Sequence, residues 1–123
     1  MKLKDDFFRV TSFCQTEKGF DYIIELNPNH FIFQAHFPEN PITPGVCIIQ
    51  IIKELSTDLL QSKLFFKKID NIKFLNVINP LENKEISISI SFLQEEKGMH
   101  KIRAVVYNHL LQFAKLSMSF IPQ

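Results

Sequence analysis

The chain has 123 residues, 46% of them hydrophobic, and a formal net charge of +1. That length gives a single domain, 1–123, with enough material for a core, and the composition excludes a disordered chain. The balanced charge, with Lys and Glu spread along the sequence, excludes a nucleic-acid footprint, and no apolar run approaches the roughly 20 residues of a membrane span.

Phe7 to Thr16 is rich in aromatic and β-branched residues and reads as a strand, Glu17-Lys18-Gly19 as a hairpin turn, and Phe20 to Leu26 as the second strand. Asn27-Pro28-Asn29 breaks it, and His30 to Gln34 reads as a short extended piece. A helix is expected from Pro44 to about Gln61. Its apolar residues cover most of its circumference, while Gln50, Glu54, Thr57 and Gln61 form one polar stripe. Phe65 to Phe74 is a strand, followed by a turn region around Pro80. Glu85 to Phe92 alternates strictly, isoleucines on one face and serines on the other. Glu95 to Gly98 is a turn, Lys101 to Tyr107 a strand, Asn108-His109 a tight turn and Gln112 to Ile121 the last strand. One helix with an antiparallel sheet is an α+β domain. The start, Met-Lys-Leu-Lys-Asp-Asp, has no hydrophobic stretch of a signal peptide. Cys14 and Cys47 match no metal spacing and form no disulfide framework, so a reducing cytoplasm is expected.

The chain is organised around His36-Phe37-Pro38-Glu39-Asn40-Pro41-Ile42-Thr43-Pro44-Gly45-Val46, which runs directly into the helix. Each proline fixes its own φ and pushes the preceding residue towards an extended conformation, so the loop is stiff. Thr43 suits the N-cap, and Pro44 the first helical position. Gly45 leaves its N–H uncovered at the positive end of the helix, where it can bind an anion or a carbonyl oxygen. His36 is the side chain most easily used as a base near neutral pH. A plainly packed histidine is the blander reading, but the place before a rigid loop favours function. Cys47 reads as a small buried hydrophobe, with a Cys–His pair as the lesser alternative.

His36-Phe37-Pro38-x-x-Pro41-x-x-Pro44-Gly45-Val46 resembles the signature of the 3-hydroxyacyl-acyl-carrier-protein dehydratases, and Ile69-Asp70-Asn71-Ile72-Lys73-Phe74 with Pro80 resembles that family's next strand and turn. The resemblance implies a hot-dog fold, a curved sheet around one long helix. It implies His36 acting on the substrate and the Gly45 amide polarising the thioester carbonyl. Val46, Phe37 and Pro44 are assigned to the surrounding cleft, and His30 is its lesser candidate, since a histidine at a loop end is more often structural or solvated. The family places Asp or Glu fourteen residues after the histidine, often with Gln four further on. Here those positions hold Gln50 and Glu54.

The expected reaction is dehydration of a 3-hydroxyacyl thioester to the trans-2-enoyl thioester, with acyl carrier protein or coenzyme A as carrier. It requires no metal or organic cofactor. Its catalytic residues are His36, Gln50 and Glu54. One assignment makes Glu54 the acid, oriented by Gln50; the other gives both proton transfers to His36 and leaves Glu54 a solvated charge. The resemblance also implies a homodimer or higher homo-oligomer, each site combining the His-bearing loop of one subunit with the helix of the other. The short chain resembles the small dehydratases of aryl-polyene pathways. A companion subunit that binds acyl groups without turnover and a hot-dog thioesterase are the alternatives.

Overall fold

The structure, a computed structural model, describes residues 2–35, 39–61, 64–96, 98–109 and 111–122. In chain order the elements are β1 (Phe8–Gln15), β2 (Phe20–Leu26), α1 (Phe31–Ala35), α2 (Gly45–Leu60), β3 (Leu64–Phe74), β4 (Glu85–Glu96), β5 (Met99–Tyr107) and β6 (Gln112–Pro122). The strands form one sheet in the order β1-β2-β4-β5-β6-β3, antiparallel at every pairing.

The alternation of β4 sets the two faces of this sheet. Ile86, Ile88 and Ile90 are buried, whereas Ser87, Ser89 and Ser91 on the opposite face are only partly covered. Neighbouring strands continue the buried layer, with Ile90 opposite Ala104 and Ala104 opposite Leu116. α2 packs on that layer. Its buried residues are Cys47, Ile48, Ile51, Ile52, Leu55 and Ser56, and Ile48 and Ile51 meet Ile24, Ile86 and Ile88 around one small apolar cavity. Apolar residues three and four apart on a helix share a face, and a pleated sheet presents every second residue, so the two patterns meet as one core. A sheet curved over a single long helix is the expected α+β hot-dog fold.

Four local expectations are corrected. The piece after Asn29 is helical as α1, because His30 Nδ1 accepts from the Ile32 N–H at 3.1 Å and Phe33 is buried, stacked on Phe7 at 4.7 Å between ring centroids. The N-cap of α2 is Pro44, at φ −63° and ψ 145°, and not Thr43. The Thr43 side chain turns into the core and makes no capping bond, so helical dihedrals begin at Gly45. The turn expected over Glu95–Gly98 is narrower, since β4 runs to Glu96 and β5 starts at Met99, with Gly98 at φ 75°. Val46, expected within the mostly buried helix surface, is 68% exposed.

The expected Glu17-Lys18-Gly19 turn is present. Thr16 N–H donates to the Gly19 carbonyl at 2.7 Å and Gly19 N–H to Thr16 Oγ1 at 3.1 Å. At the far end of α2, Gln61 closes the helix in the left-handed conformation, φ 50° and ψ 39°, a frequent helix terminator.

Candidate active site

The stiff loop is pinned as well as proline-rich. Thr43 N–H donates to the Ile78 carbonyl at 2.9 Å, and Asn79 Nδ2 donates to Asn40 Oδ1 at 3.1 Å. Both partners lie in the connection between β3 and β4. The loop is therefore tied to the same turn around Pro80 that the sequence resemblance marks, and Pro41, Ile78 and Pro80 are all buried there. His36, Phe37 and Pro38 lie outside the described residues.

Where the loop becomes α2, the Cys47 and Ile48 N–H groups bond back to the Pro44 carbonyl at 3.0 and 3.3 Å. The Gly45 and Val46 N–H groups have no acceptor among the described residues, as expected for the first turn of a helix. Phe74, at the end of β3, lies over the Gly45 α-carbon. A Cβ on residue 45 would sit 2.7 Å from the Phe74 Cζ, well inside van der Waals contact. A side chain at residue 45 would thus have to push the half-exposed Phe74 ring aside, and with glycine the amide at the positive end of the helix stays uncovered by any side chain of its own.

Gln50 and Glu54 are neighbours on the polar stripe of α2, as their spacing requires. Gln50 Nε2 donates to Glu54 Oε2 at 3.0 Å. Glu54 is not a solvated charge. The Leu3 N–H donates to its Oε2 and the Lys4 N–H to its Oε1, each at 2.8 Å. One turn further, Lys4 Nζ pairs with Asp58 Oδ2 at 2.7 Å, and that contact raises the Lys4 pKa. Nothing in the sequence pattern signals the contact of the Leu3 and Lys4 amides with Glu54, since it joins residues 50 or more apart through backbone donors.

His30, by sequence the lesser candidate for the cleft lining, is 5% exposed and both its ring nitrogens are engaged. Nδ1 accepts from Ile32 N–H, which puts the proton of the neutral ring on Nε2, 3.2 Å from Asp6 Oδ2. Its ring also meets Phe7 edge-on at 5.2 Å. His30 thus fastens α1 to the amino-terminal segment. Cys47 is buried, and burial pushes its thiol pKa up, the opposite of what an activated nucleophile needs. Among the described residues no group of three His, Cys, Asp or Glu could hold a metal ion, and no helix is long and apolar enough to cross a membrane.

Known proteins share both this sequence and this shape. A 3-hydroxyacyl-(acyl-carrier-protein) dehydratase FabZ from Latilactobacillus sakei subsp. sakei (strain 23K) is 32% identical over 85 residues, which cover 63% of this chain and 61% of that protein. The chain thus aligns with about three-fifths of that relative's length. Another FabZ, from Vibrio atlanticus (strain LGP32), is 32% identical over 107 residues, covering 79% of this chain and 69% of its own. Among solved structures, the dehydratase heterocomplex ApeI:P from Xenorhabdus doucetiae superposes with a TM-score of 0.72 at 20% identity, covering 91% of this chain and 96% of the other, a likeness of fold. The family described as ApeI-like, ApeI dehydratase, matches residues 12–109, a span that contains the proline-rich loop, all of α2 and the turn around Pro80. By that match the chain belongs to the ApeI-like dehydratase family.

Proposed function

We propose that the chain dehydrates 3-hydroxyacyl thioesters to trans-2-enoyl thioesters, the acyl group being carried on acyl carrier protein or coenzyme A. The observation that carries this reading is the start of α2, where a pinned proline-rich loop delivers an uncovered Gly45 N–H to the positive end of the helix, with Gln50 about 7–8 Å further along its axis.

The chemistry uses these parts in order. The C2 proton of the substrate is weakly acidic until the thioester carbonyl is polarised. The Gly45 N–H accommodates the negative charge that develops on that oxygen. His36 takes the C2 proton as general base. The electron pair then forms the C2–C3 double bond as the C3–O bond breaks. The hydroxyl departs as water with the proton returned by the His36 imidazolium, leaving the enzyme as it began. Gln50 hydrogen-bonds the departing oxygen, a task open to an amide, which cannot itself act as an acid. Glu54 stands behind Gln50. Both its oxygens already accept amide N–H groups, which favours the one-base route over Glu54 as the acid.

The same reading includes a homodimer. β3 is an edge strand, and Ile69 and Phe74 on its helix-facing side are exposed together with nearby Leu75 and Val77. Edge strands and apolar patches of this kind favour pairing with a second chain. Sedimentation at micromolar concentration should give twice the chain mass; a monomer contradicts the dimer.

The activity is tested by incubating purified protein with 3-hydroxyacyl thioesters on both carriers and following the enoyl product by mass spectrometry. His36→Ala should abolish turnover while the circular dichroism spectrum is preserved. Release of free thiol would identify a thioesterase. Binding without enoyl product would identify a companion subunit, the reading that Gln50 favours by standing where the resemblance expects a carboxylic acid.

A further inference from the structure

We propose that an amino-terminal strap, residues 2–7, holds the Gln50 carboxamide in place through Glu54, which makes Glu54 a positioning residue of the dehydration site. The inference rests on the dehydratase reading for its catalytic consequence and on geometry for the rest.

The strap is anchored at both ends. Leu3 and Phe7 are buried in the core, and the Phe7 N–H donates to the Leu3 carbonyl at 2.7 Å, folding the segment into a tight turn. From one side of this turn the Leu3 and Lys4 amides reach the two oxygens of Glu54 on α2, each at 2.8 Å. From the other side, Asp6 meets His30 at 3.2 Å and Phe7 stacks on Phe33 of α1 at 4.7 Å. α1 ends at Ala35, directly before the proline-rich loop. One short segment therefore grips both the element that leads into the loop and the helix that carries Gln50.

The consequence for Gln50 follows from its flexibility. A glutamine side chain has three rotatable bonds, so holding it still is costly. Two backbone N–H groups fix the Glu54 carboxylate, and a fixed carboxylate is a strong acceptor. Gln50 Nε2 donates one hydrogen to it at 3.0 Å. Because the carboxamide is planar and tethered to α2, that bond narrows the directions open to its second N–H and its carbonyl oxygen. Without the strap, Glu54 would lose the two backbone donors that fix it, and Gln50 would lose a fixed acceptor.

The test compares the parent with Glu54→Ala and Glu54→Gln. The second variant keeps the volume but offers one acceptor oxygen to two backbone donors, so it serves if the alanine variant fails to fold. Losing a charge-assisted hydrogen bond that orients Gln50 should lower kcat by roughly ten- to a hundredfold with KM little changed. In a Gln50→Ala background the same Glu54 substitution should cost nothing further, because Glu54 acts only through Gln50. Losses that add in the double variant, or a change confined to KM, overturn the proposal. A second readout needs no turnover: on removing the carboxylate, the Gln50 side-chain amide resonance should shift and the Leu3 and Lys4 amides should exchange faster with solvent. If the parent itself dehydrates no thioester, the dehydratase reading fails, and this inference is then judged by those resonances alone. Unchanged Gln50 and strap amides in the Glu54 variants overturn it.

Discussion

Replacing Thr43 with valine separates two accounts of how the start of α2 is held. By sequence, a threonine just before Pro-Gly should cap the helix, and losing such a cap costs about 1 kcal/mol. In the structure Thr43 is only 5% exposed and its Oγ1 has no hydrogen-bond partner among the described residues. Thr43 helps to line an entirely apolar cavity of about 10 Å³, together with Ile24, Ile48, Ile51, Ile78 and Ile86, so its surroundings offer the hydroxyl no polar group. A buried, unpaired polar group costs about 1–3 kcal/mol, and the low end applies where the cavity approaches the size of a single water. Valine keeps the shape and the backbone N–H to Ile78, and removes only the hydroxyl. Thr43→Val should therefore stabilise the protein by about 1 kcal/mol, which for a chain of this length raises the melting temperature by about 4 °C. Paired thermal melts at one protein concentration, with urea titrations to confirm an unchanged m-value, measure it. A melting temperature that falls by a similar amount would refute the buried-hydroxyl account and restore Thr43 as the cap.

Gly19→Ala should destabilise by about 2–3 kcal/mol, because the new Cβ would run into the Ile90 carbonyl oxygen, a backbone atom within the β2–β4 pairing that cannot swing aside; an unchanged urea midpoint contradicts this. Burial first, and the Asp58 charge second, push Tyr22 up to about 12. Its folded pKa thus lies above the unfolded value near 10, so its contribution is full below about pH 10 and is lost as pH rises towards 12. Stability measured against pH should fall more steeply across that window in the parent than in Tyr22→Phe, and parallel curves would exclude Tyr22 as the cause. A thiol reagent should modify exposed Cys14 in the native protein and reach buried Cys47 only after unfolding; native labelling of Cys47 would show that the helix start opens.

The strands were legible because their signals are local. The alternation of Glu85–Phe92 fixed its two faces, and the bounds of β2 were readable to the residue from a polar turn on one side and Asn-Pro on the other. α2 was legible from its length and the Pro-Gly start. What the sequence hid was decided by tertiary contacts. α1 exists because His30 folds back on the Ile32 amide and Phe33 finds Phe7, neither of which is a periodic signal. Thr43 left the capping role because the apolar pocket under α2 took its side chain. At the candidate site the motif gave residue types and order, but the work of Glu54 depends on backbone amides at the other end of the chain, which carry no side-chain signature.

The start of α2 also bears on why a second chain belongs in the mechanism proposed above. Hydrogen-bond donors stabilise a developing enolate oxygen strongly only where water is excluded and the local dielectric is low. In a single chain the Gly45 amide has Phe74 on one side, but Phe74 is itself 51% exposed and Val46 next to the amide is 68% exposed. Among the described residues, the pinned loop and the strap fix where the parts are without enclosing them. A partner subunit laid along β3 would cover the apolar residues beside Gly45 and exclude water from its amide, so that assembly would supply the low dielectric which the fold of one chain leaves open. In the proposed dimer the exposed side chains of Val46 and Phe74 would draw the partner in, and the N–H of Gly45 would use the dry environment that the partner creates.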